Sequence, residues 1–320
     1  MTTLDLKDVS ELAKLLLIRD KEGRPALRIG LLATMYVTEP WTRPVREAVT
    51  EVAEEYIHQF RAHLRWAESS TSHIYPIDSG KVPFPREWLP QLEDGKWWQF
   101  GFHGGESEQA VSEFQVSGFG PDHKRGLGYI QLYLPLTWFV DHPSDTFPDF
   151  VLRAAKRLRP LSGYAGIGVH EIMDFRTRMP FQATVRQIGE RFPGVEIDDC
   201  VTHGNYLAKG IKGVNWLTVL GERWVQEIGG LDYLKVRLGE DFKLSPYDGG
   251  LMIQAGPNPQ IGDVTLDRWP RHYVTLAKVL KPIQVKNHRP FHWGDGMGVQ
   301  KSMDHEASLA WLFRFDGKAS

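Results

Sequence analysis

The chain has 320 residues, 42% of them apolar and 12% aromatic, which is enough to bury a well-packed core as a single domain over 1–320. Thirty-eight Lys and Arg against 40 Asp and Glu leave a formal charge of −2, with no dense basic stripe of the kind nucleic-acid binders carry, so no direct nucleic-acid binding is expected. One cysteine, Cys200, excludes an intrachain disulfide.

At the N-terminus, MTTLDLKDVSELAKLLLIRD has acids where a signal peptide needs a basic start, and its apolar run is short. Residues 25–38, PALRIGLLATMYVT, have the apolar density of a buried strand. Thr42 then offers an N-cap and Pro44 fits a first turn. Val45, Ala48, Val49, Val52, Ala53, Tyr56, Ile57, Phe60 and Leu64 follow at steps of three and four, which predicts one long amphipathic helix. Residues 68–95, rich in Ser, Pro and Gly, predict surface loops, and KWWQFGF (96–102) with AVSEFQVSG (110–118) reads as a hairpin joined by HGGESEQ.

A similar phrase then returns. GYIQLYLPLTWF (128–139) reads as a strand, too short to cross a bilayer. Thr146 and Pro148 open a helix with Phe150, Val151, Ala154, Ala155 and Leu158 on one face. The repeated strand, Thr-x-Pro, helix order points to two related lobes, about 1–120 and 121–320. The basic run RAAKRLR (153–159) reads as the solvated face of the second helix. YAGIGVHEI (164–172) predicts a strand, and a helix follows from Pro180 with Phe181, Val185, Ile188 and Phe192 inward. A further helix is predicted over 214–228, with Leu217, Leu220, Trp224, Val225 and Ile228 on its apolar face and Gly229–Gly230 as its stop. Residues 249–255 read as a strand, 271–281 as a helix and 303–314 as the last helix. Strands and helices without strict βαβ alternation predict an α+β fold, a mostly antiparallel sheet packed by helices.

SGYAGIGVH (162–170) has its glycines in the wrong order for a dinucleotide fingerprint, and Gly163, Gly166 and Gly168 read instead as close-approach positions in a strand. No P-loop, G-x-S-x-G elbow or H-E-x-x-H occurs. In MIQAGPNPQIGD (252–263) both prolines lack N–H groups, so the loop makes a poor anion nest and reads as a scaffold corner with Asp263 capping a turn. DDCVTHG (198–204) holds half a metal motif in Asp198, Asp199, Cys200 and His203, and HRPFHWGDG (288–296) gathers His288, His292 and Asp295. The plainer readings are an acidic turn and an aromatic-anchored loop, so neither a cofactor nor a metal is expected. A metal-dependent hydrolase using either group is the alternative, and an oligomeric structural module with self-contacts is a third reading.

Five phrases in order, RPALRIGLLATMYV (24–37), YIQLYLPLTWF (129–139), SGYAGIGV (162–169), KGVNWLTVLG (212–221) and IQAGPNPQIGD (253–263), resemble the type VI immunity family over roughly residues 10–285. The resemblance implies a cytoplasmic, non-enzymatic bacterial protein. It would bind and neutralise a type VI secretion effector toxin encoded nearby, often a nuclease, by direct contact. Apart from the resemblance, no membrane is expected, and a homodimer is the further partner considered. The resemblance brings no catalytic residues. Nuclease toxins carry basic clefts, so acidic surfaces are the candidate contacts. Three stretches qualify: Glu51, Glu54 and Glu55; Glu106 and Glu108; and Glu190, Glu196, Asp198 and Asp199. The last is preferred as the toxin-binding group, because its four carboxylates fall together around a turn expected to project outward.

Overall fold

Pro25–Val37, thirteen residues with only Arg28 not fully buried, form the strand around which the rest is assembled. The structure, a computed structural model, describes residues 16–68, 73–122, 126–138, 146–291 and 303–318. In chain order the strands are β1 (Ile18–Arg19), β2 (Pro25–Val37), β3 (Trp66–Glu68), β4 (Ile74–Pro76), β5 (Trp98–His103), β6 (Gln115–Gly120) and β7 (Gly128–Leu134). They continue as β8 (Ser162–Glu171), β9 (Leu217–Gly221), β10 (Phe242–Tyr247) and β11 (Gly250–Ala255). Among the described residues all eleven join one sheet in the order β10-β11-β9-β8-β2-β7-β6-β5-β3-β4, with β1 beside the start of β2. Every pairing is antiparallel. The α+β class with a mostly antiparallel sheet is therefore the observed one.

Besides a short helical turn at Pro85–Trp88, the helices are α1 (Arg43–Phe60), α2 (Phe147–Leu158), α3 (Phe175–Arg178), α4 (Gln182–Arg191), α5 (Cys200–Gly204), α6 (Glu222–Glu227), α7 (Gly230–Leu238), α8 (Arg271–Leu280) and α9 (His305–Leu312). Among the described residues no helix is long and apolar enough to cross a membrane. Strand alternation gives the sheet two unlike faces. Leu31, Ala33, Met35, Phe100, Phe102, Val116, Ile130 and Leu132 bury one face beneath the neighbouring helices α1 and α2. The basic run on α2 is not simply solvated, because Arg153 and Arg157 both pair with Glu55 of α1. The opposite face is polar. One transverse row across it reads Glu68, Gly101, Ser117, Gln131, Thr34, Tyr164 and Thr218, each opposite the next on the adjoining strand.

Two expected elements change. The helix expected over 214–228 is a loop, then strand β9, then the short α6. Its Leu217, Leu220 and Trp224 have helical spacing, yet all five residues of LTVLG are buried between β8 and β11, where a pleated strand fits and a helix would not. The second hairpin arm is 115–120, not 110–118, because Ser112 turns the chain by accepting from the N–H groups of Gly104 and Phe114. The sheet runs on from β6, which ends at Gly120, to β7, which pairs with both β6 and β2.

A buried charged centre and a candidate partner surface

Past Ala165 the outer edge of β8 is no longer paired with β9, and residues 195–197 take over there. Val169 N–H donates to the Glu196 carbonyl, and Glu196 N–H donates to Ile167. The approach is tight at Gly168, where an added Cβ would lie 3.3 Å from Glu196 Cβ, and a Cβ on Gly166 would lie 2.1 Å from Asn215 Oδ1. This brings Asp198 over the middle of the transverse row.

There the carboxylate is fully used. Thr34 Oγ1 (2.7 Å) and Gln131 Nε2 (3.0 Å) donate to Oδ2, while Tyr164 OH (2.5 Å) and Lys212 Nζ (3.1 Å) donate to Oδ1. Lys212 also lies 2.8 Å from Glu196 Oε1, donates to the Ile197 carbonyl and sits over the Tyr164 and Trp311 rings. Asn215 Nδ2 donates to the other Glu196 oxygen at 2.9 Å, and Arg314, stacked on Trp311, stands 3.7 Å from it. Two buried carboxylates thus face two buried cations, which is the condition for keeping charge out of water. Burial pushes the Asp198 carboxyl up, but Lys212 and its hydroxyl donors outweigh it and hold it below the ordinary range. Burial lowers Arg314 to about 10 against the opposing pull of Glu196.

The two groups considered for metal chemistry meet at one edge of this centre. His203 Nδ1 is 2.9 Å from His288 Nε2, and His288 Nδ1 is 2.7 Å from the Arg289 carbonyl. A carbonyl only accepts, so His288 carries its proton on Nδ1 and His203 donates to its Nε2. His203 Nε2 stands 3.5 Å from Asp198. His203 Nδ1 and His288 Nε2 are thereby spent on one another, and His288 Nδ1 on the backbone. Among the described residues no group of three or more His, Cys, Asp or Glu side chains could hold a metal ion. His292 and Asp295 lie outside the described residues.

The four preferred acidic residues therefore part company. Glu196 and Asp198 are buried in ion pairs, contrary to the expectation of an outward turn, because the 195–198 segment lies on the sheet. Asp199 is partly exposed and caps α5 by accepting from Thr202 N–H. Glu190 is exposed and paired with Arg186 one helical turn away. Of the other stretches, Glu55 and Glu54 are tied to Arg153, Arg157 and Arg86, whereas Glu106 and Glu108 are exposed. Asp263 caps a turn through Thr265 N–H and pairs with Arg191, as a scaffold corner should.

Motif and spacing do not single out Lys212, Gln131, Tyr164 or Arg314. The available signal was the polar alternation inside apolar strands, Thr34-x-Tyr36 and Tyr129-x-Gln131-x-Tyr133, which marks a second, polar sheet face. On that face Tyr133, Gln115, His103 and His170 are buried under the 104–114 loop and its neighbours, while Gln99, Ser117, Phe119 and Tyr129 remain partly open.

A family model described as "TsiV: Type VI immunity for VRR-NUC" matches residues 48–315. Among solved structures the chain is similar to the Pseudomonas aeruginosa T6SS protein PA0821, with a TM-score of 0.83 and 25% sequence identity over 97% of this chain and 90% of that one. No curated protein matches the sequence.

Proposed function

Since the chain belongs to the TsiV family, type VI immunity for VRR-NUC, we propose that it binds a VRR-NUC effector directly and neutralises it without chemistry of its own. The family match over residues 48–315 carries this reading, and the likeness to a T6SS protein agrees with it. A nuclease is harmful where nucleic acid lies, so the two proteins would meet in the cytoplasm, each encoded close to the other. Protection requires the complex to outlast exposure, and nuclease–inhibitor pairs of this kind reach affinities of roughly nanomolar or tighter. Glu190 and Asp199, the two preferred carboxylates that reach the surface, are proposed to steer the basic substrate cleft of the effector. The hydrolase alternative loses its main support because Asp198 already accepts from four donors.

The test is growth of a susceptible bacterium that makes the VRR-NUC effector, with and without this chain. Restored growth at comparable effector levels is expected. Continued killing with both proteins soluble and present removes the reading.

A further inference from the structure

We propose that the effector docks on the open end of the sheet's polar face, around Gln99, Ser117, Phe119 and Tyr129, and presents there a segment bearing an Arg or Lys side chain between apolar ones. This rests on the immunity reading and adds the surface and the chemistry of what it receives.

The face divides along its transverse row. At one end Gln131, Thr34 and Tyr164 are spent on Asp198, and charge is balanced. At the other end the side chains shrink to Gly101 and Ser117 before the row ends at Glu68. The chain leaving β8 crosses this end, and a Cβ on Gly101 would lie 2.4 Å from Met173 Sδ and 3.2 Å from Glu68 Oε2. Helix α3 follows immediately and forms one wall. Its Phe175 is 60% exposed and stacks with Arg178, while Trp97, just ahead of β5 and in alternation with Gln99, is 50% exposed. Phe119 and Tyr129, neighbours at 6.1 Å, lie between the strands with part of their surface open. Accessible Trp, Tyr and Phe on a rigid sheet are the side chains that carry binding energy at interfaces.

The occupant follows from local charge. Arg178 lies within electrostatic reach of Glu68, Glu171 and Asp199, and Asp174 adds to the negative charge at Glu68. Four carboxyl groups, Glu68, Glu171, Asp174 and Asp199, gather around the single guanidinium of Arg178. Burial raises the Glu68 carboxyl against a hydrogen bond from Gln99 and the pull of Arg178, so a further cation there would favour its ionised form. An arriving cation is the group this floor lacks. Arg176 of the same short helix is exposed.

The experiment titrates a catalytically inactive VRR-NUC domain of the neighbouring effector into the full chain and follows binding by calorimetry. Trp97→Ala with Phe175→Ala should weaken binding at least tenfold with an unchanged thermal midpoint, whereas Val236→Ala with Leu266→Ala, exposed elsewhere, should leave it unchanged. Ser117→Lys should weaken binding much more than Ser117→Glu. Tight binding by wild type that ignores Trp97 and Phe175 overturns the surface and leaves the immunity reading standing. Equal loss with Lys and Glu at 117 overturns the basic occupant. A dimer of the free chain that Trp97→Ala and Phe175→Ala dissolve assigns the face to a second copy and overturns the inference. No binding by the wild-type chain removes the immunity reading and the inference with it.

Discussion

Gln131 and Thr34 stand opposite each other on β7 and β2 and donate to the same oxygen of Asp198, at 3.0 and 2.7 Å. Tyr164 and Lys212 donate to the other. A carboxylate has about four lone-pair positions, and here all are filled. Asp198 therefore fastens the 195–200 segment to the sheet, and under the proposed function recognition of a partner falls to side chains at the surface.

Replacing Lys212 by Met strands Asp198 and Glu196 without their shared cation. Breaking a buried pair in this way costs about 3–5 kcal/mol, read as a large drop in the urea midpoint. Adding Asp198→Asn should recover part of that loss, because the two changes remove one interaction between them. Strict additivity of the two losses would contradict the coupling.

Stability should depend on pH through Glu171. Burial, opposed by Arg178 and by the amide of Gln182, raises its carboxyl to about 7 from an ordinary 4.5. Between those values the folded chain holds a proton that the unfolded chain has released. Stability is then full below pH 4.5 and falls as pH rises toward 7, by up to about 3 kcal/mol. Glu171→Gln should flatten that slope in denaturant melts taken from pH 4.5 to 8. Asp198 acts with the opposite sign: its carboxyl is lowered, so its contribution is present above an ordinary 3.8 and is lost as pH falls below it.

Gly30→Ala should be among the most damaging single-methyl additions. The new Cβ would lie 2.2 Å from His170 Cε1, and that ring is stacked on Tyr133 at 4.0 Å with its nitrogens against the Leu31 and Ser112 carbonyls. A ring so held cannot move aside, and overpacking of this kind costs about 1–3 kcal/mol or more. A thermal midpoint equal to wild type would show that it does yield.

Charge reversal at the two surface carboxylates separates stability from binding. Asp199→Lys removes the cap of α5, costing about 1 kcal/mol, and Glu190→Lys breaks only an exposed i,i+4 pair. Both should slow effector association, more at low salt than at high salt. Association rates equal to wild type at 20 mM salt, where the Debye length is roughly 20 Å against about 8 Å at physiological strength, would assign the steering to other residues.

Much of the scaffold was legible because local periodicity and tertiary packing agree. β2, α1 and α2 fall where their apolar steps place them, with Thr146 accepting from Asp149 N–H at the start of α2. Leu217, Leu220 and Trp224 misled because a buried strand followed by a helix can carry leucines at helical spacing, and only the pairing of β9 with β8 and β11 decides between them. Strand β10 escaped because Lys243 and Pro246 suit an edge strand and not an apolar alternation. The charged centre escaped for a different reason: Asp198 meets Lys212 from 14 residues away but Thr34 from 164 away, so no local motif exists. Composition around residues 190–199 predicts an outward acidic turn and carries no sign that Glu196 bridges to β8 at Gly168.

The most direct measurement is nuclease activity of the purified VRR-NUC effector against increasing amounts of this chain. Neutralisation by direct binding predicts a linear fall to zero at one equivalent, with the substrate nucleic acid unchanged by this chain alone. Activity that persists at a tenfold excess of folded chain would contradict the account.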